Sequence, residues 1–190
     1  MRGINFKKVE DKYELLLNVA KNYMHHTGDA KHGYGHVIDT YNFAKKILNK
    51  NAHNADIDCV VISVFWHDVG RVVCADGHEK VSANMLKEQM HHLGMKKDLI
   101  NKCILAVKNH KWSSVPTTIE GIIVRDADKL AFLGLNRWKE CLDAGEDMKD
   151  ILALLPKLKD GILQLEESKV LYTKAIKELK TFLKNYKRPN

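Results

Sequence analysis

The sequence predicts an all-α fold, and three observations carry that expectation. Apolar residues recur three and four apart in one segment after another, the pattern of helices with one buried face. Only 3 prolines and 11 glycines interrupt 190 residues, which disfavours collagen-like, proline-rich and many-turned β architectures. A chain of this length that is 45% hydrophobic fits one core and is short for two ordinary domains, so a single domain is expected over 1–190.

The first helix is expected over Val9 to Thr27, where Tyr13, Leu16, Leu17, Ala20 and Tyr23 or Met24 share a face and Gly28 stops it. A second runs from about His36 to Asn49, with Thr40, Phe43 and Ile47 following His36 on one side, so His36 points inward. The third, Asp56 to Val69, starts at a good N-cap residue and is apolar nearly all round through CVVISVFW, as suits a helix buried on most sides. Glu79 to Leu93, stopped by Gly94, and Asp98 to His110 follow. Thr117 and Glu120 have capping-box spacing and open a segment through Leu133. Its Ile122, Ile123 and Val124 are also strand-like, but helix is preferred. Leu135 to Leu142, Met148 to Leu155 and Leu158 to Tyr186 complete the chain, with no internal repeat or low-complexity tract.

Charge and cysteine content narrow the function classes. The formal net charge is +7, yet 157–190 alone holds nine basic residues against four acidic ones, so the basicity belongs mainly to the C-terminal end. A nucleic-acid surface would interleave basic and aromatic residues, and this end offers only Tyr172, Phe182 and Tyr186. Cys59, Cys74, Cys103 and Cys141 form no CxxC pair, which fits a reducing compartment. Charged residues crowd the first fourteen positions, and the apolar run Cys59 to Trp66 is far short of the ~20 residues that span a bilayer. A soluble, cytoplasmic protein without a membrane partner is expected.

The chemistry lies in histidines and aspartates on apolar faces. His36 shares a face with Phe43 and Ile47, His67 follows Val60 and Val64, and Asp128 lies between Val124 and Ala131. A buried unpaired carboxylate costs several kcal/mol or takes up a proton, so such aspartates need a cation or donors nearby. A metal ion held by imidazoles and carboxylates from separate helices satisfies them together, and that donor mixture suits Mn, Fe, Co, Ni or Zn, with Mg possible. A single histidine on an inner face is more often a hydrogen-bonded core residue than a ligand. The argument therefore needs the set. His25, His26, His53, His91 and His92 fit no pattern and are expected at the surface.

HGYGHV at His32 to Val37, WHD at Trp66 to Asp68 and RDADKL at Arg125 to Leu130 resemble the HD-domain superfamily of metal-dependent phosphohydrolases, whose signature is H, HD, D in that order. HEKVSA from His78 and NHKWS from Asn109 add to the likeness, which covers about Asp29 to Arg137. The resemblance implies an HD-type helical bundle with a motif core at about 29–137 and C-terminal helices over 138–190. It makes His36, His67, Asp68 and Asp128 the expected metal ligands. Asp126 competes with Asp128, or serves as an acceptor that orients an imidazole. His78 and His110 stand where two-metal members carry extra histidines, and Asp68 would then bridge two ions. One ion is the preferred expectation, because Gly70 and Gly77 suggest a flexible loop between Asp68 and His78. After HD come Val69, Gly70 and Arg71, without the Glu that some nucleotidase relatives use as an acid.

What the likeness implies is hydrolysis of a nucleotide or other small phosphoester by metal-activated water, oriented by Asp68. Arg71, Lys111, Lys129 and Arg137 are the expected phosphate contacts, with Lys129 also stabilising charge in the transition state. His78 or His110 would protonate the leaving oxygen if neither holds a metal. Two other classes remain: an HD-fold di-iron oxygenase, and a non-catalytic metal-binding module.

Overall fold

The computed structural model describes residues 4–52 and 54–187. Among them are ten α-helices and no strand: α1 Phe6–Lys12, α2 Glu14–His25, α3 Tyr34–Lys50, α4 Ile57–Trp66, α5 His78–His92, α6 Lys97–Lys108, α7 Ile119–Leu130, α8 Leu135–Ala144, α9 Lys149–Gly161 and α10 Glu166–Asn185. Short 3-10 turns at Ala30–His32, Val69–Val72 and Ala131–Leu133 join some of them. The all-α expectation holds.

Helix α4 is the central post. The side chain of Asp56 accepts from the Cys59 amide and caps it, and every residue from Cys59 to Trp66 is buried. Helices α2, α3, α6 and α7 pack around it. Removing a Val, Ile or Phe side chain from water contributes about 1.5–3 kcal/mol, so this apolar segment is a large part of the driving force for the bundle. Helix α3 lies against both α7 and α8, and α5 against α6. His67 and Asp68 follow the end of α4 directly, which fixes them at the middle of the bundle.

Three local expectations need correction. The first expected helix is two, broken at Tyr13, whose hydroxyl donates to Asp58 Oδ2 at 2.7 Å. Thr118, not Thr117, caps α7 by accepting the Gly121 amide, and Glu120 leaves the box to accept the Asp56 amide at 3.0 Å. Helix, preferred over strand for Ile122 to Val124, holds there, because Ile123 and Val124 face the core while Gly121 lets α7 approach Pro116. Finally, α9 passes through Pro156, held by Ile151, Leu155 and Leu158 on one buried face. The break falls at 162–165 instead, where Arg125 and Asp126 bind the backbone.

His25, His26, His91 and His92 are exposed as expected, and His53 lies outside the described residues. The four cysteines are free. No helix among the described residues is long and apolar enough to cross a membrane.

Candidate metal centre

Five helices and one turn deliver six side chains to one point. His36 comes from the first turn of α3, His67 and Asp68 from the end of α4, His78 from the start of α5, His110 from just beyond α6, and Asp128 from the last turn of α7. All six are buried. They form two trios, His36 with His67 and Asp128, and Asp68 with His78 and His110, each with its donor atoms within 4.8 Å of one another. Asp68 stands between them. Its Oδ1 lies 3.0 Å from His78 Nε2 and 3.4 Å from His110 Nε2, while Oδ2 lies 3.6 Å from His36 Nε2 and 3.7 Å from His67 Nε2.

The expected set of His36, His67, Asp68 and Asp128 is brought together through Asp68 Oδ2, and His78 and His110 join on the other side of Asp68. The loop between Asp68 and His78 is not loose. Gly70 donates its amide to Ser82 Oγ at 2.7 Å, and Gly77 caps α5 with φ +77°, a left-handed conformation glycine adopts without penalty. The two glycines therefore fix His78 against Asp68. Within the second trio the spacings are 3.0 to 3.4 Å, with 3.2 Å between the two Nε2 atoms. Donors each about 2.1 Å from one ion stand about 3.0–3.4 Å apart, so the residues fit a divalent transition metal.

Electrostatics point the same way. Burial, reinforced by the Arg137 charge, lowers His36 to about 3, and burial lowers His67 to about 4, so both rings are neutral. Burial alone would raise Asp68, but His67, His110, His78 and Arg71 hold it well below the usual carboxylate range. Asp128 is likewise held down, by Lys129, His36 and His67 against the effect of burial. Neutral imidazoles and ionised carboxylates are the states that bind metals.

Above the donors opens a cavity of about 270 Å³. Arg71, Lys111 and Lys129 line it, as expected of phosphate contacts. Lys129 Nζ lies 2.6 Å from Asp128 Oδ2 and between the rings of Trp112 and Phe132, 5.7 and 5.8 Å from their centroids. Larger clefts, of about 470, 430 and 320 Å³, lie elsewhere on the surface and contain none of the six donors.

Two expected residues are placed differently. Arg137 does not line the cavity. It is fully buried behind His36, with its guanidinium over the Phe132 ring, because Asp39 accepts its backbone amide at 2.8 Å and fixes the start of α8 there. Asp126 orients no imidazole. Its carboxylate accepts the amides of Gln164 and Leu165, about 200° around α7 from Asp128. One titratable cavity residue went unpredicted: His32, whose Nδ1 lies 2.8 Å from Asp29 Oδ2. His32 pulls Asp29 down to about 2. Its position one turn before His36 was the available signal.

The family model for the HD domain matches residues 33–133, more than half of the chain, and spans all six donors. The chain belongs to the HD domain family. A crystal structure of a predicted HD superfamily hydrolase from an uncultured Thermotogales bacterium superposes with a TM-score of 0.70 at 16% identity, covering 95% of this chain and 96% of that one. That likeness establishes the HD fold over nearly the whole chain. No curated protein matches the sequence.

Proposed function

We propose that the protein is a metal-dependent phosphohydrolase acting on a nucleotide or another small phosphoester. The observation that carries this reading is the buried convergence of four imidazoles and two carboxylates beneath a cavity rimmed by Arg71, Lys111 and Lys129. Membership in a family with an H, HD, D signature supports it. Mn, Fe, Co, Ni or Zn suits the donors, held by His36, His67 and Asp128 on one side and Asp68, His78 and His110 on the other. An ion there lowers the pKa of a bound water toward ~7 and polarises a phosphoryl oxygen.

The chain's own groups supply the rest. Asp68, central to the cluster, accepts a hydrogen bond from the attacking water and orients it. Lys129 and Arg71 neutralise charge on the equatorial phosphoryl oxygens. With His78 and His110 committed as ligands, proton delivery to the leaving oxygen passes to His32. Asp29 Oδ2, 2.8 Å from its Nδ1, orients the ring for that role. The cavity accommodates one small phosphorylated molecule, and nothing in this reading calls for a nucleic-acid or membrane partner.

The test is a phosphate- and pyrophosphate-release screen over nucleotides and phosphomonoesters, with Mn, Mg, Co, Ni and Fe supplied in turn. Release with one metal and one substrate class is expected; no release with any combination overturns the reading. The four-histidine, two-aspartate set also favours a second reading, a di-iron oxygenase, for which substrate-dependent oxygen consumption by the iron-loaded protein is the deciding observation.

A further inference from the structure

Two residues of the recurring motifs have no part in the chemistry above. Arg125 opens RDADKL and Trp112 belongs to NHKWS, and the fold joins them. The buried Arg125 guanidinium donates from Nη2 to the Trp112 carbonyl at 3.1 Å and from Nη1 to the Ile162 carbonyl at 2.7 Å. A planar fork that holds two carbonyls at once fixes where each lies. The loop that carries Trp112 is pinned a second time by the Ser114 amide, which donates to the Lys111 carbonyl at 3.0 Å. The indole is therefore held in place before any ligand arrives.

Trp112 lines the cavity above the donors together with Phe132. Their ring centroids are 5.8 Å apart and their planes stand at 71°, so the two aromatic surfaces form a corner. Lys129 sits at that corner, 5.7 and 5.8 Å from the centroids, and its ammonium donates to Asp128, one of the six donors. The cationic part of the cavity thus passes directly into an aromatic part. Among the described residues that line it there is no side-chain hydroxyl or amide. A polyol packed against this wall would leave hydroxyl groups unpaired, whereas a flat ring gains contact area together with offset-stacked or edge-to-face geometry.

We propose that Trp112 and Phe132 form the subsite for the organic part of the substrate and select a phosphoester that carries a planar aromatic ring over one that lacks it. Arg125 acts through the Trp112 carbonyl and is a positioning residue. The inference rests on the phosphohydrolase reading above, and it assigns the wall of the cavity where that reading assigned the floor.

Matched substrates that share the reacting group test it on the metal-loaded full chain: adenosine 5′-monophosphate against ribose 5-phosphate and, should the screen select triphosphates, adenosine triphosphate against inorganic tripolyphosphate. The kcat/KM of the base-bearing member is expected to exceed that of its partner by about ten- to a hundredfold, the range of one stacked base. Trp112→Leu should lower that ratio roughly tenfold, and Trp112→Phe should keep most of it. Arg125→Lys, which can reach one carbonyl but not both, should lower it severalfold. Equal kcat/KM for the two members overturns the proposal. So does a Trp112→Leu protein that slows both members alike, because the rings would then serve only to hold Lys129. A folded Arg125→Lys protein with an undiminished ratio overturns the role of Arg125, and should that variant fail to fold, the Trp112 pair decides the subsite. Indole fluorescence gives a readout independent of turnover. Trp66 and Trp138 are sealed in the core, at 0% and 1% exposure, so quenching by an added base reports Trp112. Adenosine 5′-monophosphate should quench and ribose 5-phosphate should not. If no phosphoester is hydrolysed with any metal, the phosphohydrolase reading fails while base-dependent quenching still upholds the subsite; absent quenching overturns the subsite itself.

Discussion

Helices α3 to α7 and helices α8 to α10 are patterned alike, but they bury different kinds of polar group. In the first set four buried histidines and two of the buried aspartates converge on one point. Polar contacts between the two sets instead hold the first in place. The Glu140 carboxylate accepts the Gly35 amide at 2.9 Å, Arg137 stands behind His36, and the turn at 162–165 is received by Arg125 and Asp126. Buried polarity alone therefore does not mark a site. Convergence of imidazoles and carboxylates on one point does, and the C-terminal helices act as its support.

The contrast makes distinct predictions for the two regions. The largest effect is expected from acid on the metal-free protein. His36 and His67 titrate near 6.5 when unfolded but at about 3 and about 4 when folded. Below pH 6.5 the unfolded chain takes up protons the folded one refuses, so their contribution to stability is complete above 6.5 and falls away toward pH 4. The loss is on the order of several kcal/mol, seen as a falling melting temperature across that window. A flat profile between pH 6.5 and 4 would show that these rings are not held neutral.

Chelation at pH 7 comes next. Removing an ion present at 100 to 1,000 times its dissociation constant costs about 3–4 kcal/mol, roughly 5–15 °C in a chain of this size. An unchanged melting curve after verified removal would contradict a buried centre.

Two substitutions then separate the regions. A Cβ at Gly70 would overlap the His78 carbonyl oxygen and lie 2.6 Å from the Ser82 amide, both backbone atoms. Gly70→Ala should cost about 3 kcal/mol and also reduce metal content per folded chain, because His78 must move. Asp126→Ala strips the acceptor from the Gln164 and Leu165 amides and should cost about 2 kcal/mol of stability, read from the denaturant midpoint, with metal per folded chain unchanged. If Asp126→Ala lost the metal and Gly70→Ala kept it, the division between site and support would be reversed.

The inward face of α3, the buried run of α4 and the fold class were legible because each follows from periodicity, which a single sequence displays. The six donors were legible as a set for the same reason, aided by the motif order. The close approach of His78 to Asp68 was not. Whether Asp68 meets His78 depends on a 3-10 turn and on the Gly70 to Ser82 bond, which join residues twelve apart by tertiary contact. Arg137 and Asp126 were misplaced for a related reason. Charge near a motif suggests a ligand contact, while the true partners, Asp39 and the 164–165 amides, are remote in sequence. Pro156 misled because local propensity gave way to the buried face of α9.

The most direct test of the central claim is a paired measurement on the unaltered protein and Asp68→Ala, which removes the carboxylate shared by both trios. Each is purified without air, given Mn, and measured for bound metal and for phosphate release from the substrate the screen selects. The unaltered protein should retain metal and release phosphate, lose both on chelation and regain both with Mn. Folded Asp68→Ala should do neither. Phosphate release that survives chelation, or an Asp68→Ala protein with undiminished metal content, would contradict the assignment of this cluster as the catalytic centre.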